Sequence, residues 1–178
     1  MSKKALVVID MLNDFVMEGA PLEVPDTRKV VSVIKREIES ARKEGRHIIY
    51  VCDSHDPDDA EFKRFNWPVH AVKGTKGAQI VEELRPSNSD IIIEKTTYSG
   101  FYRTKLDSTL RALRIDTLRL TGCVTHICVL FTASDAVLRG YDVEVVKDGV
   151  AGIAPEDHDA ALRIMKNVLN VKILNDGY

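Results

Sequence analysis

The sequence predicts an α/β fold: a doubly wound, mostly parallel six-stranded sheet with helices on both faces. Three observations predict it. Short runs rich in Val, Ile and Leu recur along the chain, and helical patterns alternate with them. The runs are also apolar nearly throughout, as strands covered on both faces must be. Right-handed crossovers between successive parallel strands then give the double winding. At 178 residues the chain is long enough for one domain with a substantial core, and no Pro/Gly/Ser-rich linker divides it, so 1–178 reads as a single domain.

In chain order, the first strand runs from Ala5 to Asp10 and ends on a carboxylate. A long segment, Met11 to Pro25, separates it from a helix over Arg28 to Glu44, which Asp26-Thr27 opens and Gly45 closes. The second strand is His47 to Asp53. After a second long segment, Ser54 to Thr75, come a helical pattern at Ala78 to Leu84 and a strand at Asp90 to Glu94. A helix over Thr104 to Leu113 leads to the strand Thr117 to Thr121, and the turn after that strand leads into a helix over Ile127 to Arg139, with Gly140 just past its end. The strand Asp142 to Val146, a helix over Glu156 to Leu169 with Pro155 in its first turn, and the strand Lys172 to Leu174 complete the alternation. The two long segments both leave the carboxyl edge of the sheet, and loops of that length in a compact domain are usually functional.

Apolar residues make up 44% and charged residues 29%, the balance of a globular chain rather than a disordered one. The net charge is −2 and the basic residues are dispersed, which argues against nucleic acid or an anionic membrane as partner. Ser2-Lys3-Lys4 precedes an apolar run too short for a signal-peptide core or a membrane span, so a cytoplasmic location is the expectation. Three cysteines suggest no disulfide framework. Cys52 and Cys123 read as small buried apolar residues.

Chemistry concentrates at the strand ends. Asp10, Asp53 and Lys95 each follow an apolar strand, and Cys128 opens the helix after the fourth. In a parallel sheet these ends share the edge where ligands bind. A helix N-terminus lowers a thiol's pKa, which makes Cys128 a candidate nucleophile. Asp10 can take the thiol proton and later deliver it to a leaving amine, and Lys95 adds a positive charge. Asp53 and His55 project to the same side of extended backbone, and with His70 they form a two-histidine, one-carboxylate set suited to zinc, iron or manganese. Glu61 is a fourth candidate ligand. By composition alone the same acidic run is equally a solvated polar loop. Phe15 and Trp67 read either as packing residues or as walls around a flat substrate. His47 and His158 read as structural or exposed, and His126 stays outside the catalytic set.

With these residues assembled, the chain resembles the isochorismatase-like cysteine hydrolases, and within them nicotinamidases. Asp10 stands in Val-Val-Ile-Asp-Met-Leu-Asn-Asp-Phe, Lys95 precedes Thr-Thr-Tyr-Ser-Gly-Phe, and Cys128 lies in Gly-Cys-Val-Thr-His-Ile-Cys-Val; Asp53-Ser54-His55 and Trp67-Pro68-Val69-His70 match the metal-binding elements. The resemblance implies a three-layer, Rossmann-like fold and a triad of Asp10, Lys95 and Cys128. It also implies a cis peptide between Val124 and Thr125, with an oxyanion hole at Val124, Thr125 and Cys128. It further implies one divalent metal, zinc first with iron or manganese as alternatives, on Asp53, His55, His70 and Glu61. Phe15 and Trp67 would flank the ring of a small amide substrate, and the protein would be a homo-oligomer. The activity so implied is deamidation of nicotinamide through a thioester. The alternatives are a cysteine amidase for N-carbamoylsarcosine, ureidoacrylate or another small amide, and a non-catalytic binding member of the fold. Leu12 in place of a Gln and Ala71 in place of a Cys depart from the family pattern at the pocket lining, not at the nucleophile.

Overall fold

Six strands form one all-parallel sheet: β1 (Lys4–Ile9), β2 (His47–Asp53), β3 (Ile91–Lys95), β4 (Thr117–Cys123), β5 (Asp142–Ala151) and β6 (Lys172–Leu174), in the order β3-β2-β1-β4-β5-β6. The computed structural model describes residues 3–175; residues 1–2 and 176–178 of the single-domain span 1–178, Ser2 among them, lie outside the described residues. The chain builds outward from β1 to β3, then crosses back to lay β4 on the other side of β1. That reversal leaves a crevice beyond the carboxyl ends of β1 and β4.

Strand periodicity divides the core in two. Ala5, Val7 and Ile9 of β1 and Ile49 and Val51 of β2 point to one face. That face is covered by α4 (Leu106–Ala112), α5 (Leu130–Leu138) and α6 (Pro155–Asn167), through residues such as Leu110, Ala133 and Leu162. Leu6, Val8, Ile48 and Tyr50 point to the other face, against α2 (Thr27–Lys43). This helix buries Val30, Ile34, Ile38 and Ala41, one stripe at helical spacing. The buried Tyr50 hydroxyl donates to the Leu84 carbonyl at 2.9 Å, so burial leaves it satisfied. No helix among the described residues is long and apolar enough to cross a membrane.

Several local expectations are corrected. Ala78 to Leu84 is not an α-helix. Leu12 forms an antiparallel bridge with Ile80, Asn13 N–H donates to Gln79 O and Val81 N–H to Met11 O, and only a 3₁₀ turn follows at Glu82–Leu84. Backbone groups committed across to the first long segment cannot also close a helix. Both long segments hold a short helix, α1 (Asn13–Val16) and α3 (Ala60–Phe65). Asp26 precedes α2 without a side-chain cap, pairing with Lys29 at 2.6 Å instead. β5 continues past Val146 to Ala151, because Val150 and Ala151 pair with Gly122 and Cys123 after a register shift. The cis peptide joins Cys123 to Val124, one bond before the expected position, where the chain leaves β4.

Gly122 is the position where β4 tolerates no side chain. Its φ is +109°, and a Cβ there would lie 2.0 Å from the Ile9 carbonyl oxygen on the neighbouring strand. Gly122→Ala should therefore cost at least about 3 kcal/mol, lowering Tm by roughly 6–12 °C. Gly45 also has a positive φ, +65°, but a Cβ there would meet nothing within 4 Å. Gly45→Ala should cost only about 1–2 kcal/mol. Paired thermal melts check this, and equal losses would show that the contact with Ile9 does not matter.

Candidate active site

The ends of β1, β2, β3 and β4 bring four sequence-distant side chains together. Asp10 follows β1 with φ +50°, a left-handed conformation that Asp adopts more readily than most residues. Three bonds fix it there: its N–H donates to Val51 O at 2.9 Å, its Oδ1 accepts from Asp53 N–H at 2.7 Å, and its carbonyl accepts from the Cys123 thiol at 3.1 Å. Asp53 and Lys95 are register partners across β2 and β3. Lys95 Nζ therefore reaches Asp53 Oδ1 at 2.5 Å, Asp10 Oδ2 at 2.8 Å and Cys128 Sγ at 3.5 Å, all buried. Asp10 Oδ2 pairs with the ammonium, and the Asp10 carboxylate also meets the Cys128 thiol, so the acceptor for the thiol proton is already in place. An Asp10 oxygen, an Asp53 oxygen and Cys128 Sγ all lie within 4.8 Å of one another. The cation among these three is the Lys95 ammonium.

Burial and charge set the protonation of this cluster. Burial works against the Lys95 charge, yet Asp10, Asp53 and Cys128 outweigh it and hold its pKa well above the ordinary value. Burial, then the Asp53 charge, push Asp10 up to about 6 against the pull of Lys95. Burial opposes ionisation of Asp53 too, but Lys95 and the two histidines hold it well below the usual carboxylate range. The Cys128 thiol departs from the sequence expectation: burial raises it well above the ordinary value, and Lys95 only partly offsets this. The reason is position. Helical structure begins at Thr125, as a π-helical turn over Thr125–Val129, so Cys128 sits one turn inside it and buried rather than at its exposed mouth. A buried thiol beside the Asp10 carboxylate is arranged to lose its proton as it reacts, not before.

The π turn also changes which backbone groups pair beside the thiol. The Val124 carbonyl accepts from Ile127 N–H at 3.0 Å and from Val129 N–H at 3.1 Å, passing over the Cys128 amide between them. Single π turns of this kind recur at functional sites. No sequence signal marked it.

Beside the thiol, Asp53, His55 and His70 have ligand atoms within 4.8 Å of one another. His70 Nδ1 lies 2.7 Å from Pro68 O, which can only accept, and His55 Nδ1 lies 3.0 Å from an Asp59 oxygen. Each Nδ1 is thereby placed as a donor, which leaves each Nε2 as the atom to meet a metal. The two Nε2 atoms stand 3.8 and 3.7 Å from the Asp53 oxygens, too far to hydrogen-bond and spaced around a common centre. This donor set fits one divalent cation. Glu61 lines the same pocket but stands outside the trio. Its N–H is capped by Asp59 at 2.9 Å and its carboxyl bonds Thr97.

Loop pairing holds these ligands. His55 and Val72 form a parallel bridge, with His55 N–H donating to Ala71 O and Lys73 N–H to His55 O. Asp14, which the sequence reading passed over, accepts from Ala71 N–H at 2.8 Å and so ties the first long segment to the second; Gly77 makes room, since a Cβ there would overlap the Asp14 carboxylate. Phe62 of α3 packs on both imidazoles, with ring centroids 5.0 and 5.3 Å away, and Phe15 meets the edge of His70 at 5.4 Å. Phe15 and Trp67 both line the pocket that opens onto Cys128. Tyr98 is a further wall, missed in the sequence, whose hydroxyl accepts from Trp67 Nε1 at 3.1 Å. His126 contributes nothing to this pocket wall.

Comparison with known proteins bears on this geometry. Residues 4–174 match the Isochorismatase domain family. The crystal structure of N-carbamoylsarcosine amidase from Thermoplasma acidophilum is 40% identical and superposes with a TM-score of 0.88 over 99% of this chain and 98% of that one. A pyrazinamidase of Pyrococcus horikoshii, solved in complex with zinc, is 34% identical with a TM-score of 0.91 over 97% of this chain and 99% of that one. An Arabidopsis thaliana protein described as a probable inactive nicotinamidase is 38% identical over 92% of this chain and 88% of its own length.

Two outcomes are expected. His70→Ala and Asp53→Ala should each lower bound metal well below one ion per chain by elemental analysis, while Glu61→Ala should not; stoichiometric metal in the first two would exclude the trio. Limited iodoacetamide treatment should modify Cys128 before Cys52 or Cys123, because only Cys128 faces both the pocket and the Lys95 charge. Peptide mass spectrometry reads the order.

Proposed function

The chain belongs to the isochorismatase family of hydrolases, and on that premise we propose that it is a metal-dependent cysteine amidohydrolase acting on a small, flat aromatic carboxamide, nicotinamide foremost. The observation that carries this is the pocket wall. Phe15, Trp67 and Tyr98 line it with Val124, Ile127 and Ile153, and its acidic and imidazole members are Asp53, Glu61, His55 and His70. Neither Lys nor Arg lines it. N-carbamoylsarcosine and ureidoacrylate each carry a carboxylate, which such a wall offers no Lys or Arg to meet, whereas a neutral ring amide needs none.

The chemistry follows from the cluster. Asp10 Oδ2 takes the Cys128 proton as the sulfur attacks the carboxamide carbon and a C–S bond forms. The developing oxyanion lies against the Cys128 amide and the turn at Val124 and Thr125. Asp10 then protonates the nitrogen as the C–N bond breaks and ammonia leaves. Water, deprotonated by Asp10, cleaves the thioester to the carboxylic acid and restores the thiol. Lys95 stays protonated throughout and holds Asp10 in place between these transfers. A divalent metal held by Asp53, His55 and His70, zinc first with iron or manganese as alternatives, would supply a Lewis-acidic anchor for the pyridine nitrogen. Phe15 and Trp67 hold the ring plane.

The 40% identity to an N-carbamoylsarcosine amidase supports a second reading, the same thioester chemistry on a carbamoyl or ureido compound. The ranking of kcat/KM over nicotinamide, pyrazinamide, N-carbamoylsarcosine and ureidoacrylate decides between them: nicotinamide should lead, and a leading carbamoyl or ureido compound would overturn the aromatic reading while leaving the cysteine chemistry intact. Cys128→Ala should abolish turnover with an unchanged melting temperature. Asp10→Asn should lower kcat by about 10²–10⁴-fold, with a smaller effect on KM, as loss of a general acid–base group does. Trp67→Ala should instead raise KM for nicotinamide.

A further inference from the structure

We infer that His158 is a positioning residue for the oxyanion turn, latching Thr125 from the first turn of α6. The inference deepens the cysteine-amidohydrolase reading and rests on it for its kinetic consequence. Thr125 is fully buried, at 0% exposure, and its Oγ1 lies 2.9 Å from His158 Nδ1. A Thr at the start of a helical segment commonly bonds its own backbone. Here the hydroxyl pairs with an imidazole, and the N-cap residue of the π turn, Val124, has no polar side chain to close it. The Thr125 hydroxyl is spent on another element, 33 residues later in the chain.

Topology explains why that element is there. β5 ends at Ala151, the register partner of Cys123 at the end of β4, so the β5-to-α6 connection leaves the sheet beside the oxyanion turn. Ile153 of that connection lines the substrate pocket, and five residues later His158 reaches Thr125. Gly152 accommodates the imidazole's attachment: a Cβ at 152 would lie 2.8 Å from His158 Cβ. Within the turn, backbone pairing runs forward into α5: the Val124 carbonyl accepts from Ile127 and Val129 N–H and the Thr125 carbonyl from Leu130 N–H, while the Thr125 side chain ties the turn sideways to α6. A donor that must meet an oxyanion within a few tenths of an ångström needs an external brace. The Thr125–His158 bond is placed to be that brace. It touches no reacting atom, so its loss should misplace the donors without weakening substrate binding.

The test compares His158→Ala, His158→Asn, Gly152→Ala and Thr125→Val by steady-state kinetics on the best amide, by melting temperature, and by amide hydrogen exchange of the peptide spanning 123–129. His158→Ala, Gly152→Ala and Thr125→Val should each lower kcat by roughly five- to tenfold, the value of one buried hydrogen bond expressed in rate, with KM within about twofold of wild type. Exchange across 123–129 should quicken in all three. His158→Asn should restore both readouts, because its side-chain amide puts a polar atom at the Nδ1 position. Unchanged kcat and exchange in His158→Ala would overturn the inference, as would failure of His158→Asn to restore kcat at wild-type melting temperature. If His158→Ala does not fold, wild-type kcat in Thr125→Val overturns it. Should the wild-type protein hydrolyse none of the four amides, the amidohydrolase reading fails by itself, and exchange across 123–129 decides the latch alone.

Discussion

The buried Lys95 ammonium is the constraint around which the rest of the site is arranged. It sits between two buried carboxylates, 2.5 Å from Asp53 and 2.8 Å from Asp10. Taking charges of this kind out of water costs several kcal/mol each, and only close, well-placed partners offset it. Here placement is a matter of sheet register. Asp53 stands opposite Lys95, and Asp10 follows Ile9, which stands opposite Val51. A slip of one residue in either pairing would turn a charged side chain into an apolar core and leave another without its partner. The apolar alternation that separates the two cores thus also dictates where the charges meet.

Much of this was legible because it depends on strands. Val/Ile/Leu runs mark buried parallel strands with little ambiguity, and residues at their ends inherit a shared edge from topology alone. Topology alone therefore places Asp10, Asp53, Lys95 and Cys128 together, and extended backbone alone places the Asp53-His55 pair. Failures fell where tertiary pairing overrides local pattern. Ala78 to Leu84 has helical spacing, but Ile80 and its neighbours bond the segment after β1. The Cys128 thiol was expected to be acidified by a helix terminus, an argument that holds at an exposed first turn. Entry through a π turn at Thr125 puts the sulfur one turn deeper, where desolvation dominates. Asp14 and Tyr98 were missed because their partners, Ala71 N–H and Trp67 Nε1, lie far away in sequence and carry no local signature.

Loops, rather than strands, carry the pocket, and each is tied to another loop. Asp14 joins the segment after β1 to that after β2, Tyr98 after β3 meets Trp67, and His158 after β5 meets Thr125 after β4. Such cross-ties compensate for what long loops lack, namely their own hydrogen-bond ladder. The Asp14 tie also bears on the positive φ at Ala71: a conformation that costs about 1–2 kcal/mol persists only where surrounding bonds over-determine it. Ala71 supplies both an N–H to Asp14 and a carbonyl to His55, so its strain holds the bridge on which the first imidazole is mounted.

Asp53 belongs to both halves of the site. Its Oδ1 pairs with Lys95, which in turn reaches Asp10 and Cys128, while its Oδ2 faces His70 Nε2 at 3.7 Å. No other side chain in the cluster contacts the Lys95 ammonium and also belongs to the metal-ligand trio. The arrangement makes the two centres mutually dependent in geometry: moving Asp53 to suit a ligand at the histidines moves the ammonium that positions Asp10. A triad on an unrelated loop scaffold could be tuned independently of a metal site. In this fold, adjacent parallel strands put both on one register pair, and the lysine's length is what lets the charge on β3 serve the nucleophile beyond β4.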